Sequence, residues 1–229
     1  MIKWIFVALV VALLAAGVGW WNWKHSPMRE MERSRAAVEQ STNWHYHTVH
    51  LNRVDPSVPP ETVDEDIFCP SLLHTTRSIL DRAGLPVVRE SIIYLGRSYN
   101  HLADGWVLAG GRQADINAQG SLPIFECLNG AMGSDDNSLP YKAIIEDGTL
   151  RPGGTREAGG NSCRDYDVTV PTPHDPAEKE FRFSMCINEQ DHLPRETRRT
   201  PPAASEEGIS TFSQWNAHNE PQLPPGFSK

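Results

Sequence analysis

The chain has 229 residues, with 29 acidic and 21 basic side chains that give a formal net charge of -8. Its composition, 39% hydrophobic and 22% charged, excludes a wholly disordered chain, a collagen-like repeat and a multi-span membrane protein. The acidic balance argues against a nucleic-acid partner, because phosphate binding depends on lysine and arginine. A chain of this length buries a sizeable core, so folding requires no cofactor and none is indicated.

The first segment of the chain has the features of a helix that enters a membrane. Residues 4–23 carry no charge and are long enough to span a hydrocarbon core. The tryptophans at the end of this run favour a retained anchor, whereas Ala15, Ala16 and Gly17 would suit a signal peptidase. The sequence therefore predicts a signal-anchor or a signal peptide over residues 1–24.

The cysteines indicate an oxidising compartment. Cys69, Cys127, Cys163 and Cys186 form an even set behind an export-type segment, and their spacing is not that of a zinc ribbon. Disulfides are therefore predicted, and the domain is expected outside the cytoplasm. The alternative is a cytoplasmic domain with four reduced, buried cysteines.

The remainder predicts a mainly β (α+β) protein with one to three covering helices. Residues 25–42 predict a juxtamembrane helix, residues 43–220 a β domain, and residues 221–229 a Pro-rich tail. A further helix is predicted from Leu122 to Met132. The predicted strands are Trp44 to Val54, Glu61 to Cys69, Leu72 to Ser78, Val87 to Leu95, Arg97 to Ala109 with a bend at Asp104-Gly105, Lys142 to Leu150, Ser162 to Val170, Glu180 to Asn188, Arg195 to Thr200 and Gly208 to Trp215.

The clearest hairpin spans residues 162–188, where both strands alternate apolar and polar side chains. Pairing about the centre of its loop sets Cys163 opposite Cys186 on the polar face, close to the spacing that a disulfide needs. The remaining pair is then Cys69 with Cys127. Cys127 with Cys163 is the competing pairing.

Two histidines on one predicted strand raise the question of a metal site. His45 and His47 share a face, but no carboxylate or thiol at ligand spacing accompanies them, so we interpret them as polar residues that face water. His101 and His192 are interpreted as solvated or capping turn residues. The carboxylates of residues 61–66 are interpreted as a solvated strand edge, and no metal site is predicted.

Motifs for catalysis are not found: the sequence has no G-x-S-x-G elbow, no Walker loop and no H-E-x-x-H. What remains is an antiparallel sheet with one apolar face and few helices to cover it. Such a face either packs on itself or receives a ligand. The candidate lining residues are Val63, Ile67, Ile92, Tyr94, Val107, Tyr166, Val168, Phe181, Phe183 and Met185.

Five short motifs mark successive strands and turns of this domain. They are Glu90–Tyr99 (ESIIYLGRSY), Asp104–Trp106 (DGW), Asn161–Tyr166 (NSCRDY), His192–Glu196 (HLPRE) and Thr211–Asn216 (TFSQWN). In this order they resemble the bacterial envelope proteins with a LolA/LolB/LppX-like half-barrel. The resemblance implies a strongly curved antiparallel sheet wrapped round helices, whose concave apolar side takes lipid acyl chains or a lipoprotein anchor in characterised relatives.

The residues and the resemblance together predict a non-enzymatic envelope protein. It is expected in the bacterial inner membrane with its C-terminal domain in the periplasm, or periplasmic or secreted if the leader is cleaved. The expected partners are the membrane, through the N-terminal helix, and a lipid or other hydrophobic ligand; the sequence names no protein partner. The alternatives are a structural or protein-interaction module with a self-packed sheet, and a hydrolase with a dispersed triad.

Overall fold

The computed structural model describes residues 26–52, 55, 57–69, 71–81, 83–95, 97–109, 141–171, 180–199 and 206–227. The predicted signal segment, the helix predicted at 122–132 and Cys127 lie outside these residues. Neither helix within the described ranges has the length and apolar character required to cross a membrane.

The prediction of a mainly β domain is confirmed. Two helices and eleven strands follow one another along the described chain. They are α1 (Pro27–Gln40), β1 (Asn43–Asn52), β2 (Glu61–Phe68), β3 (Leu72–Leu80), β4 (Pro86–Tyr94), β5 (Arg97–Leu102), β6 (Gly105–Leu108), α2 (Tyr141–Asp147), β7 (Thr149–Ala158), β8 (Asn161–Pro171), β9 (Glu180–Ile187), β10 (Pro194–Arg199) and β11 (Glu206–Ser213).

All strands belong to one open antiparallel sheet in the order β6-β5-β4-β3-β2-β1-β11-β10-β9-β8-β7. Strands β1 to β6 form a meander that we call the N-terminal arm, and β7 to β11 form a second meander, the C-terminal arm. The arms meet where β1 pairs with β11 over eight residue pairs. The sheet is therefore continuous, and each arm is built from neighbours in sequence.

Helix α1 spans Pro27–Gln40, within the segment 25–42 that the sequence predicts to be helical. The Ser26 side chain accepts a hydrogen bond from the backbone of Arg29, and Pro27 occupies the first turn, where its missing N–H costs nothing. Met31 and Val38 lie on one face of the helix and are buried in the main core. The helix thus packs on the domain that follows it.

One predicted strand, Lys142 to Leu150, is wrong. The segment forms α2, and the next strand, β7, starts only at Thr149. The helix buries Tyr141 and Ile144, three residues apart, which is a helical and not an alternating spacing. It ends at Gly148, where a Cβ atom would lie 2.5 Å from the carbonyl oxygen of Ile144.

Strand β7 continues through glycines at 153 and 154, which break the register of its pairing with β8. The strand then turns at Gly159 and Gly160, whose φ angles of 57° and 74° suit a two-residue hairpin. The glycines at 159 and 160 therefore form the turn between β7 and β8, whereas those at 153 and 154 lie within a strand.

The predicted disulfide between Cys163 and Cys186 is confirmed, with a Cα–Cα distance of 5.4 Å. The predicted register is wrong by two residues, because Cys186 lies opposite Asp165 and the bridge runs diagonally. Both cysteines are fully buried beside Ala158, although they share a sheet face with Asp165. Cys69 is also disulfide-bonded.

The C-terminal segment after β11 lies along the N-terminal arm. Backbone and side-chain hydrogen bonds join Asn216 and His218 to Asn43 at the start of β1. Farther along, Phe227 packs in a second, smaller core with Tyr99 and Trp106. The predicted Pro-rich tail is thus partly docked on the sheet.

Candidate functional site

Strand pairing assigns each side chain to one of two sheet faces. The inner face carries the large core, and α1 and α2 pack on it through contacts with β7 and β8. The outer face carries the smaller core and the C-terminal segment. Because directly paired residues of an antiparallel sheet point to the same side, the faces can be followed across all eleven strands.

The inner face of the C-terminal arm is apolar. Tyr166, Val168 and Met185 are almost fully buried there, and Ile144 of α2 belongs to the same core. The ring of Phe181 contacts that of Phe183 at a centroid distance of 5.2 Å. This surface provides continuous apolar packing for a helix or for an acyl chain.

Polar groups cross the centre of the inner face, where the two arms meet. The Ser210 hydroxyl lies 3.0 Å from both the Tyr46 hydroxyl and the Thr48 hydroxyl. Next to them, Glu65 is only 7% exposed and accepts a hydrogen bond of 3.3 Å from Thr75. The inner face is therefore amphipathic, with an apolar C-terminal arm beside a polar band.

A buried indole adds a donor to this face. Trp44 is 2% exposed and stacks on Trp215, with ring centroids 5.3 Å apart. Its Nε1 atom makes no hydrogen bond to the described part of the chain. A buried donor without an acceptor is costly, and an acceptor on a ligand would relieve that cost.

The inner face opens at the free edge of the N-terminal arm. Leu102 of β5 and Val107 of β6 are on this face and remain 56% and 47% exposed. These two side chains are separated from the buried core by polar inner-face positions such as Ser91 and Asn100.

The structure brings together eight of the ten predicted lining residues on the inner face. Ile92 and Tyr94 point instead to the outer face, where they pack in the smaller core near Phe227. The eight are Val63, Ile67, Val107, Tyr166, Val168, Phe181, Phe183 and Met185, and all except the edge residue Val107 are buried or half-buried.

The outer face of the N-terminal arm carries a histidine–carboxylate row. Imidazoles and carboxylates alternate across β1 to β5. Each imidazole contacts a carboxylate on an adjacent strand. His47 lies 2.6 Å from Asp64, His45 2.7 Å from Asp66, His74 2.8 Å from Glu90, and His101 2.7 Å from Glu90.

Interactions within the row shift the pKa values of three members. The pKa of His45 is raised, chiefly by its hydrogen bond to Asp66. Burial opposes protonation of His74, but hydrogen bonds to Asp66 and Glu90 outweigh it, so the pKa of His74 is also raised. Hydrogen bonds from His45 and His74 hold the pKa of Asp66 well below its ordinary value.

Sequence reasoning missed this row because its carboxylates come from other strands. His45 lies opposite Asp66 and His47 opposite Asp64, so these histidines, interpreted as facing water, also pair with carboxylates. The interpretation of residues 61–66 as a solvated edge also fails for Glu65, which is buried on the inner face. The sequence did hold one signal for these pairs: the two-residue spacing of His45 and His47 on β1 matches that of Asp64 and Asp66 on β2.

The remaining predicted polar site residues lie elsewhere. His192 occupies the β9–β10 turn with a φ of 61° and lies 2.6 Å from Glu30 of α1, so it joins the turn to the helix. No set of three or more histidine, cysteine or acidic residues within the described ranges has a geometry that could hold a metal ion.

Two shallow grooves of about 300 and 280 Å³ lie on the outer face of the C-terminal arm, and both are lined by Asp167 and Arg182. Arg182 is already paired with Glu180. These charges largely neutralise one another, so the grooves do not favour a particular ligand.

Two solved structures with this fold support the resemblance. Lipoprotein LppX from Mycobacterium tuberculosis has a TM-score of 0.55 at 18% identity, with 84% of this chain and 96% of that chain covered. LprF from Mycobacterium bovis has a TM-score of 0.57 at 13% identity, with 88% and 97% covered. No family model matches the sequence, and neither does any curated protein. The chain has an LppX-like fold.

Proposed function

We propose that this protein is a non-enzymatic envelope protein that binds a lipid or another hydrophobic ligand on the inner face of its half-barrel. The observation that carries the proposal is the composition of that face, whose apolar C-terminal arm adjoins a buried polar band. This pattern matches a ligand with an apolar chain and a polar end.

The free donor at Trp44 further supports an amphiphilic ligand. A carboxylate, ester or phosphate oxygen would accept a hydrogen bond from this Nε1–H group, which has no partner among the described residues, while the chain of the ligand packs on the apolar side chains. The fold of the lipoprotein LppX and the resemblance to half-barrel lipid carriers agree with this class of ligand.

We further propose that residues 1–24 anchor the chain in the bacterial inner membrane and that the domain lies in the periplasm, or is released there if the leader is cleaved. The confirmed disulfide supports an oxidising compartment. An alkaline phosphatase fusion after Arg35 tests the topology. Active phosphatase is expected, and an inactive but stable fusion would contradict this placement.

Native mass spectrometry tests for the ligand. The full chain, expressed with its own N-terminus and purified in a detergent that is removed in the gas phase, is compared before and after extraction with organic solvent. A co-purifying mass that disappears on extraction is expected. Delipidated protein should then bind a fluorescent fatty acid.

A pair of matched variants locates the binding face. Val107→Asp places a negative charge at the exposed edge of the inner face and should weaken binding of the negatively charged fatty acid about tenfold. Val88→Asp places the same charge on the outer face, at a valine that is 68% exposed, and should leave binding unchanged. Equal effects of the two variants would contradict the inner face as the site.

A protein-interaction module with a self-packed sheet is the second candidate. It is favoured by the near-complete burial of Val168 and Met185 against one another and the helices, which needs no ligand. Absence of both a co-purifying mass and fatty-acid binding would favour this candidate.

A further inference from the structure

The histidine–carboxylate row forms one connected chain of charge partners. From one end to the other its members are His47, Asp64, His45, Asp66, His74, Glu90 and His101. They come from five consecutive strands, β1 to β5. The row therefore ties together every strand of the N-terminal arm except β6.

Two of its histidines have carboxylates at both ring nitrogens. His45 Nδ1 lies 2.7 Å from Asp66 and its Nε2 lies 3.7 Å from Asp64. His74 Nε2 lies 2.8 Å from Glu90 and its Nδ1 lies 3.6 Å from Asp66. Only a doubly protonated imidazole can donate toward both sides, so these positions favour the imidazolium form.

We propose that the histidine–carboxylate row is a pH-sensitive clasp, which holds the N-terminal arm more firmly in mildly acidic surroundings than in alkaline ones. The charged pairs attract when the imidazoles are protonated, and they become weaker neutral hydrogen bonds when the protons leave. This inference goes beyond the proposed function, because it concerns the stability of the arm with or without a ligand.

The direction of the pH effect follows from the pKa shifts of His45, His74 and Asp66. The pKa values of His45 and His74 are raised above 6.5, so their contribution is complete below that pH and is lost as the pH rises through the raised values. The pKa of Asp66 is lowered from 3.8, so its contribution is present above 3.8 and is lost as the pH falls through the lowered value. The clasp is therefore strongest between these limits.

Every element packed against the row contributes known groups. Strand β6 supplies Trp106, which stacks on His101 with ring centroids 4.8 Å apart and meets His74 edge-on. The C-terminal segment reaches this face through Phe227, on Trp106, and through His218, on Phe68. Strand β11 places Thr211 beside His47 and Ser213 beside His45, and Glu196 of β10 lies opposite Thr211 on the same face. The other ionisable side chains on this face of β4 and β5 are those of Tyr94, Arg97 and Tyr99.

The C-terminal arm provides an internal control. Its outer face uses arginine–carboxylate pairs, such as Arg156 with Asp165 at 2.7 Å and Arg156 with Glu196 at 2.9 Å. Guanidinium groups stay charged throughout the neutral and alkaline range. These pairs should therefore keep their strength where the histidine pairs lose theirs.

Hydrogen exchange on the full chain, followed by mass spectrometry, tests the clasp. After correction for intrinsic exchange rates, protection of peptides from β2 to β4 should fall about three- to thirtyfold between about pH 5.5 and about pH 8.5, the range expected for two partly exposed charge pairs. Peptides from β8 and β9 should change less than about twofold. Equal changes in both arms, or no change in either, would overturn the proposal.

Variants assign the effect to particular rings. The double variant His45→Gln, His74→Gln should abolish the pH dependence in β2 to β4, whereas His50→Gln, at an inner-face position of β1, should retain it. An undiminished pH effect in the double variant would overturn the proposal.

A titration of the wild-type imidazoles by NMR requires no substitution and covers the case of a variant that does not fold. His45 and His74 should titrate with pKa values above the ordinary value of 6.5. Titration of both rings at or below that value would also reject the clasp.

Discussion

The two arms of the sheet are built alike in backbone but are stabilised differently. The C-terminal arm has an apolar inner face under two helices and a buried disulfide on its outer face. The N-terminal arm has a polar band on its inner face and, on its outer face, ionisable pairs and a docked C-terminal segment. The C-terminal arm therefore relies on apolar packing and a covalent bridge, whereas the N-terminal arm relies on ionisable pairs and a docked segment.

The largest expected effect is the loss of apolar packing in the C-terminal arm. Met185→Ala removes a fully buried side chain between the sheet and the helices, and should lower the free energy of unfolding by about 3 kcal/mol. Urea denaturation measures the change. Val88→Ala, at an exposed position of the other arm, is the control and should stay within about 0.5 kcal/mol.

Removal of the disulfide comes next. The double variant Cys163→Ala, Cys186→Ala opens a loop with a sequence separation of 23 and should cost about 3 kcal/mol or slightly less. Urea denaturation of the wild type with and without reductant offers a second measure, although the reductant also opens the disulfide bond at Cys69. A double variant as stable as the wild type would mean that the bridge does not stabilise the folded domain.

Loss of the C-terminal contact should weaken only the N-terminal arm. Phe227→Ala removes a ring that contacts Tyr94, Tyr99 and Trp106, and should destabilise this arm by about 1.5 kcal/mol because the ring is only partly buried. Hydrogen exchange in β4 to β6 reports the change. Leu223→Ala, in the same segment but more exposed, should have little effect, and an equal effect would contradict a specific role for the ring.

The smallest expected effect is that of a single carboxylate in the row. Asp66→Asn should reduce the free energy of unfolding by about 0.5 to 1 kcal/mol at mildly acidic pH, a modest value because the side chain is substantially exposed. Since the pKa of Asp66 is lowered, the difference from the wild type should shrink as the pH falls well below 3.8. A difference that stays constant with acidification would argue against the charge as its cause.

Much of the fold could be predicted because its elements are local. The alternation in β8 and β9 and the helix formers of the first helix both involve residues close in sequence. The short helix α2 was missed because adjacent isoleucines at 144 and 145, in a short segment that ends before Gly148, fit a strand as readily as a helix. The disulfide pair was predicted correctly even though the register was shifted, because diagonal positions also bring two cysteines within reach.

The site was predicted less completely. Alternation identifies which residues of one strand share a face, but it does not identify which face receives the helices. Ile92 and Tyr94 were therefore grouped with Val107 and Tyr166, although they lie on the opposite side of the sheet under the C-terminal segment.

The sequence alone determined the strand-rich domain, the first helix and the pairing of Cys163 with Cys186, because propensity, capping and hairpin pairing act over short distances. Only the tertiary structure decided that β1 joins β11 and that histidines on β1, β3 and β5 share carboxylates from β2 and β4. Those contacts depend on register between separate strands, which is set by the packing of the whole sheet.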